Sequence, residues 1–336
     1  MTTSAAPAST MLDQQPVSLA RRAVGTLAGP VGSISIALVV TVVVAMAWVG
    51  PDFFAESNLR IIATDVAIPL FVGVLASFAL LAGVVDLSIG SMAGFGAVAF
   101  NQLVAAGTPT WTAAAATVGI GVAVGAVNAY FIVGLGAQPL AVTLGMLTLL
   151  RGLSNVVVVS APPSTLIDSL YTFTQGSATS VPTLFLVAIG VALVAAGIVT
   201  KTRVGRKIQA VGGDAAAAAR AGISVTRVRV GALLLSSVGA AVGGIFYVGQ
   251  LGSASNILGT GLEFSIYAAL MIGGYSITRG GVGNPVGALL GLIVVAAITN
   301  ILNVQFIDPD YLDVIVALVL LTAVLVDRLR QGDAFE

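Results

Sequence analysis

Val31-Gly-Ser-Ile-Ser-Ile-Ala-Leu-Val-Val-Thr-Val-Val-Val-Ala-Met-Ala-Trp-Val49 holds no charged residue over 19 positions. Wound into a helix it rises about 28 Å, close to the hydrocarbon thickness of a bilayer. Arg21 and Arg22 precede it, and Ala45-Met46-Ala47 has the small-residue spacing of a signal-peptidase site. The run is nevertheless longer than the apolar stretch of a secretory signal, so it reads as a retained first span. Residues 1–30, rich in Ala, Ser, Thr, Pro and Gly, read as a cytosolic tail.

Working outward, further apolar runs lie near 61–82, 88–106, 112–134, 139–159, 181–199, 229–250, 264–278, 284–303 and 312–326. With the first, this predicts an all-α membrane bundle of about ten spans. The membrane body reads as 31–330, and 331–336 as a short cytosolic tail. The run 264–278 is brief for a crossing. It follows Gly252 to Gly261, a Gly- and Ser-rich stretch that reads as a broken or re-entrant segment.

Composition agrees. The chain is 57% hydrophobic and 8% charged, with mean hydropathy +1.06, against about 25% charged in soluble domains. A soluble globular protein is excluded. There is no Cys and no His, which removes thiolate chemistry, the commonest general base and the commonest metal ligand. Neither Lys201 nor Lys207 follows a glycine, so a Walker A loop is absent and nucleotide-driven work falls to a partner.

Basic residues orient the chain. If the tail is cytosolic, then 200–228 with the adjoining Arg229, the turn at Arg279 and the C-terminal end are too, and that side collects twelve of the fourteen Lys and Arg. The other side holds Arg60 and Arg151. Both termini are then cytosolic. Glycines spaced by four (Gly90/Gly94, Gly121/Gly125, Gly239/Gly243, Gly283/Gly287/Gly291) read as close helix packing inside the bundle. Ala79-Leu-Leu-Ala-Gly83 and Ala269-Leu-Met-Ile-Gly273 hint at a duplication 190 residues apart.

The polar residues carry the chemistry. In the island 200–228, Asp214 is an N-cap, Ala215 to Ala221 a helix-forming run, Arg220 a partner for the C-terminal dipole and Gly222 a C′ residue. Physics alone leaves two readings open: a basic loop on anionic headgroups, or a docking helix for a soluble partner. Asp86 and Ser88 sit in Gly83-Val-Val-Asp-Leu-Ser-Ile-Gly-Ser91 with almost no loop around them. They read as a helix cap or as a gate in a cavity. Glu263 leaves the broken segment, and Arg151 is flanked by leucines, placed to snorkel or to pair with an acid inside the bundle. The amides Asn101, Gln102, Asn128, Asn155, Gln250, Asn300 and Asn303 suit a neutral, hydroxyl-rich solute better than an ion, or else bond helix to helix.

Taken together, Gly83 to Ser91, Val142-Thr-Leu-Gly-Met146 with Arg151-Gly152, Thr202 to Ile223, and Gly259-Thr-Gly-Leu-Glu263 with Ile272-Gly-Gly274 and Gly280 to Gly283 resemble the membrane permease of bacterial ATP-binding-cassette importers, in the branch that takes up ribose, xylose and other monosaccharides. The resemblance spans roughly residues 35–330. Ser265 stands where the family usually has an acid, and Val282 lies where it often has a basic residue.

The resemblance implies a permease of the inner membrane that pairs with a second copy or paralogue, two cytosolic ATPases and an external sugar-binding protein, with no cofactor and no catalysis of its own. It also implies an ATPase-coupling loop made by Arg203, Gly205, Arg206, Gly212, Gly213, Asp214, Arg220 and Gly222. A secondary transporter driven by H⁺ or Na⁺ is the rival reading. It is disfavoured by the absent His and by acids limited chiefly to Asp65, Asp86 and Glu263. No nucleophile–base pair supports a membrane enzyme.

Overall fold

A computed structural model describes residues 30–158, 167–176 and 181–308, with scattered helical positions between 311 and 325. The tails and most of the run 312–326 lie outside the described residues. The described chain is all helix and loop: α1 (Pro30–Trp48), α2 (Glu56–Leu81), α3 (Ile89–Ala105), α4 (Thr110–Ala129), α5 (Pro139–Val157), α6 (Asp168–Gln175), α7 (Thr183–Lys201), α8 (Arg203–Gly213), α9 (Ala215–Arg220), α10 (Val225–Leu251), α11 (Leu262–Ile272) and α12 (Pro285–Val304).

Six of these helices, among the described residues, are long and apolar enough to cross a membrane: α2, α4 with its wider turn to Gly134, α5, α7, α10 and α12. This is fewer than the ten runs of the sequence. α3 and α11 are shorter than a full crossing. For α3 and α11 the reason is physical. Each is preceded by an irregular segment, 82–88 and 252–261, so each begins inside the bundle. Non-helical backbone at such depth persists only where protein surrounds it.

α10 is the hub and packs on α2, α3 and α4; α2 also meets α7 and α12, and α3 meets α5. Leu70, Val72, Ile89, Met92, Ala240, Ile266 and Leu292 are among the buried residues that fill the space between them. Small residues permit this closeness, since hydrophobicity alone does not drive association in lipid. Gly121 lies against Ala241, Gly239 against Leu75, Gly243 against Val72 and Gly291 against the Ala269 carbonyl. The spaced glycines therefore pack helix to helix within one chain. Ala45 of α1 is buried with Phe53, Ile62, Ala297 and Ile301.

Two ends are distinct. At one, Gly281 N–H donates to the Leu81 carbonyl at 2.9 Å, Arg229 Nε donates to the Ala82 carbonyl at 3.4 Å, and Gly212 abuts both Leu81 and Gly281. This basic end gathers α8, α9 and the turn at 279–283. At the other, Arg60 donates to the Gln175 carbonyl at 3.1 Å and Gln305 Nε2 to the Trp48 carbonyl at 2.7 Å. The suspected duplication has a structural echo one residue off its sequence register. α2 and α11 end in the same cap, with Gly83 (φ 76°) and Gly274 (φ 88°) left-handed and Val84 and Tyr275 donating five residues back to Ala79 and Leu270.

Candidate functional site

The broken segment 82–88 descends from the basic end into the bundle, and Asp86 holds it there. Asp86 N–H donates to Tyr267 Oη at 2.7 Å, and that hydroxyl donates back to the Asp86 carbonyl at 3.1 Å. One phenol thus satisfies both backbone groups of a residue outside any helix. On the side chain, Oδ1 accepts from Ser88 N–H at 3.1 Å and from the Ser88 hydroxyl, while Oδ2 accepts from Ser236 Oγ at 2.8 Å. Asn128 Nδ2 on α4 donates to Ser88 Oγ at 3.1 Å. All five residues are buried. Ser236 lies about 16 Å along α10 from its start at ~1.5 Å per residue, so the cluster is well inside the bundle.

The second broken segment arrives from the opposite end and crosses the first turns of α3. A methyl group at Gly90 would overlap the Glu263 carboxylate and the Gly259 carbonyl, and one at Gly94 would overlap the Leu258 carbonyl. Only glycine lets these backbones touch, and Gly259 itself is left-handed at φ +70°. Glu263, in the first turn of α11, therefore also sits at the first turn of α3. Two helix N-termini thus meet at one carboxylate. Arg151 of α5 reaches the same crossing, with Nη1 donating to the Leu258 carbonyl at 2.8 Å, and Glu263 acts on it electrostatically.

Around these half-helices, some buried polar atoms lack a partner among the described residues: Glu263 Oε2, Arg151 Nη2, Asn128 Oδ1, Ser237 Oγ and Gln102 Nε2. Buried polar atoms left unpaired are uncommon and call for a ligand, water or a role. Asp86 and Ser88 differ from them, because their bonds are made internally.

The remaining sequence candidates scatter. Asn101 is buried on α3. Asn155 accepts from Asn256 Nδ2 at 2.7 Å, tying α5 to the broken segment. Gln250 offers only its carbonyl, to Gln175 at 3.4 Å. Asn300 and Asn58 exchange two amide bonds, at 3.0 and 2.9 Å, clamping α12 to α2. Tyr267 and Ser236 were missed: both sit in apolar helical runs, and their partner Asp86 lies far off in sequence. Asp65 is exposed on the α2 surface, above Pro69, which interrupts the helix interior.

At the basic end the local reading of the island holds. Asp214 Oδ1 accepts from Ala217 N–H at 2.9 Å, α9 follows, and Gly222 ends it at φ +80° with Ile223 N–H returning to Ala218. Helix α8 was not foreseen. Thr202 Oγ1 caps it from Gly205 N–H at 3.2 Å, and Gly205, Ile208 and Val211 turn inward while Arg203, Arg206 and Lys207 are exposed.

Comparison with known proteins follows from this architecture. The family described as branched-chain amino acid transport system / permease component matches residues 58–325. The ribose import permease protein RbsC of Escherichia coli (strain K12) is 32% identical over 88% of this chain and 93% of its own length. The autoinducer 2 import system permease protein LsrC of Klebsiella pneumoniae is 32% identical over 88% of this chain and 86% of its own. The D-allose transport system permease protein AlsC of Escherichia coli (strain K12) is 28% identical over 83% and 86%. No solved structure gives a significant match.

Proposed function

The chain belongs to the family of branched-chain amino acid transport system permease components, and on that premise we propose that it is the inner-membrane permease of an ATP-binding-cassette importer for a monosaccharide or similar neutral polyol. The names of its relatives, for ribose, D-allose and autoinducer 2 import, support that solute class. The observation that carries the reading is the meeting of α3 and α11 inside the bundle, with unpartnered polar atoms of Glu263, Arg151 and Asn128 around it. A hydroxyl-rich solute leaving water needs donors and acceptors to replace it, and few fixed charges.

Roles divide accordingly. Glu263 and Asn128 offer free acceptors and Arg151 a free donor on the path. Asp86 and Ser88 hold the broken backbone that shapes it, and Asn101 lines α3. Asn155, Gln250 and Asn300 set helix spacing around it. The basic end is cytosolic, which places both termini there. α3 and α11, each with its irregular segment, complete crossings that bring the total to about ten with 312–326.

α9, with Asp214, Arg220 and Gly222, seats on a cytosolic ATPase. α8, through Arg203, Gly205, Arg206, Gly212 and Gly213, passes the motion inward. A second permease copy covers exposed Asp65, since a carboxylate on a span surface needs a polar partner or water. An external sugar-binding protein delivers the solute.

The test is ATP-dependent uptake of radiolabelled pentoses by vesicles holding the complex. Uptake driven by a proton or sodium gradient without ATP would instead establish a secondary transporter. Gly222→Pro and Arg220→Glu should uncouple hydrolysis from uptake in assembled complexes. Asp214→Ala should do so more mildly, since a lost cap costs about 0.5–2 kcal/mol. Full coupling in all three would refute the docking role.

A further inference from the structure

A wide concavity lies away from the half-helix crossing. It is a cavity of about 840 Å³ between α7, α10 and α2, open along one side. Its walls are aliphatic: Val187, Val191, Val194, Ile198, Leu75 and Leu235 are among them. Only its mouth, at the basic end, is charged. Lys207 of α8 and Arg227 of α10 stand there, both exposed, and among the described residues no acidic side chain lines it. Ser224 caps α10 at the same rim, its Oγ accepting from Arg227 N–H at 3.4 Å. The N–H groups of Val225 and Thr226 therefore begin a 27-residue helix at the mouth.

This polarity is directional. An apolar trough runs into the depth of the spans, and two cations with a helix N-terminus sit where it meets the aqueous edge. Water fits poorly along an aliphatic wall, and a soluble solute would not need one. Val204 points the same way. It is 57% exposed on α8, between the exposed basic residues Arg203 and Arg206, an apolar group on a helix lying at the membrane boundary.

We propose that this groove binds an anionic glycerophospholipid of the leaflet at the basic end, with its acyl chain along α7 and α10 and its phosphate between Lys207, Arg227 and the first turn of α10. Cations and helix N-termini are the two devices proteins use for phosphate. The seat touches the rim of the proposed coupling loop at Gly222 and Ile223, so an ordered lipid would brace the base of α9. The proposal rests on the membrane reading of the fold, not on the identity of the solute.

The assembled complex, purified in mild detergent with equimolar phosphatidylglycerol and phosphatidylcholine, is examined by native mass spectrometry. Phosphatidylglycerol should be retained over phosphatidylcholine by on the order of tenfold, the preference expected of two cations near a headgroup. Lys207→Glu with Arg227→Glu should abolish that preference, and Lys207→Ala with Arg227→Ala should reduce it. Val191→Trp fills the groove and should remove one bound lipid per chain with both cations intact. Equal retention of the two lipids by the parent overturns the proposal, as does unchanged retention in the charge-reversed or groove-filled variant. So does a Val194→Cys variant of this cysteine-free chain that crosslinks to a second copy across the groove. Charge reversal that releases the ATPase while leaving lipid retention intact would likewise assign Lys207 and Arg227 to a protein interface.

Discussion

Replacing Gly90 by alanine tests the crossing of the two half-helices directly. The added methyl meets the Glu263 carboxylate and the Gly259 carbonyl. The carboxylate can swing aside, but the carbonyl belongs to a left-handed turn at φ +70° and cannot. Overpacking of this kind costs about 1–3 kcal/mol. Alanine is the better helix former, which returns about 0.5–1 kcal/mol. The net is a loss of up to about 2.5 kcal/mol, and about 1.4 kcal/mol, near the middle of that range, lowers the folded-to-unfolded ratio about tenfold. Gly119 of α4 supplies the control. It is helical, and nothing lies within 4 Å of where its Cβ would be, so the same substitution there should be neutral or stabilising. Thermal unfolding of the purified variants should move in opposite directions. Uptake by Gly90→Ala in reconstituted vesicles should fall about tenfold, the factor carried by ~1.4 kcal/mol, because the segments are forced apart at the proposed path. If Gly90→Ala melts and imports like the parent, or if Gly119→Ala is equally damaged, α3 and α11 do not meet as described.

Tyr267→Phe leaves the N–H and carbonyl of Asp86 without their shared partner, and each buried orphan costs about 1–3 kcal/mol. The variant should lose stability markedly while Tyr275→Phe, which gives up a single 3.2 Å bond to Ser77, loses less; equal melting of the two would contradict the clamp. Asn300→Ala strips Asn58 of its reciprocal amide and should lower the melting temperature without altering which sugar competes for uptake. A changed solute preference would move Asn300 from the α2–α12 seam to the path.

Much of this architecture is legible in the residues because its causes are local. Apolar runs of about twenty residues form helices, and most described helix boundaries fall within a few residues of them, although α11 stops at Ile272, six residues short of the run 264–278. The Asp214 cap and the Gly222 terminator act over one turn, so α9 could be read from its own letters. α8 could not: Gly205, Gly212 and Gly213 depress its intrinsic helicity, and it survives because Gly205 packs against the end of α7 and Gly212 against Leu81, contacts invisible in sequence. The polar centre was half legible. Asp86 and Ser88 stand out against an apolar background, whereas Ser236 and Tyr267 sit among leucines and alanines, with nothing local to mark their bonds to a residue more than a hundred positions away. Asn300, which the sequence leaves open between a path amide and a helix-to-helix bond, pairs with Asn58, a partner 242 positions off.

The contacts at the basic end bear on how a motion of α8 and α9 would travel in the proposed importer. Gly212 touches the Leu81 carbonyl and the backbone of Gly280 and Gly281, and Gly281 N–H is bonded to that same carbonyl. Leu81 is the last residue of α2 and leads into the irregular segment 82–88, while Gly280 lies in the loop after α11, eight residues past Ile272. One backbone junction therefore adjoins both of the chains that run to the half-helix crossing. Backbone against backbone leaves no rotamers to absorb a displacement, and close-packed interiors pass strain on rather than yielding to it. A shift of α8 would then reach α3 through Val84 to Ser88, and α11 through residues 273–280. Since α3 and α11 start at the same carboxylate, Glu263, pushing on the two segments by unequal amounts changes their spacing where the unpartnered atoms face the path. A bundle of uninterrupted spans would offer no such place, because a helix moved at one end moves as a rod; the two breaks are what allow an event at the basic end to alter the interior.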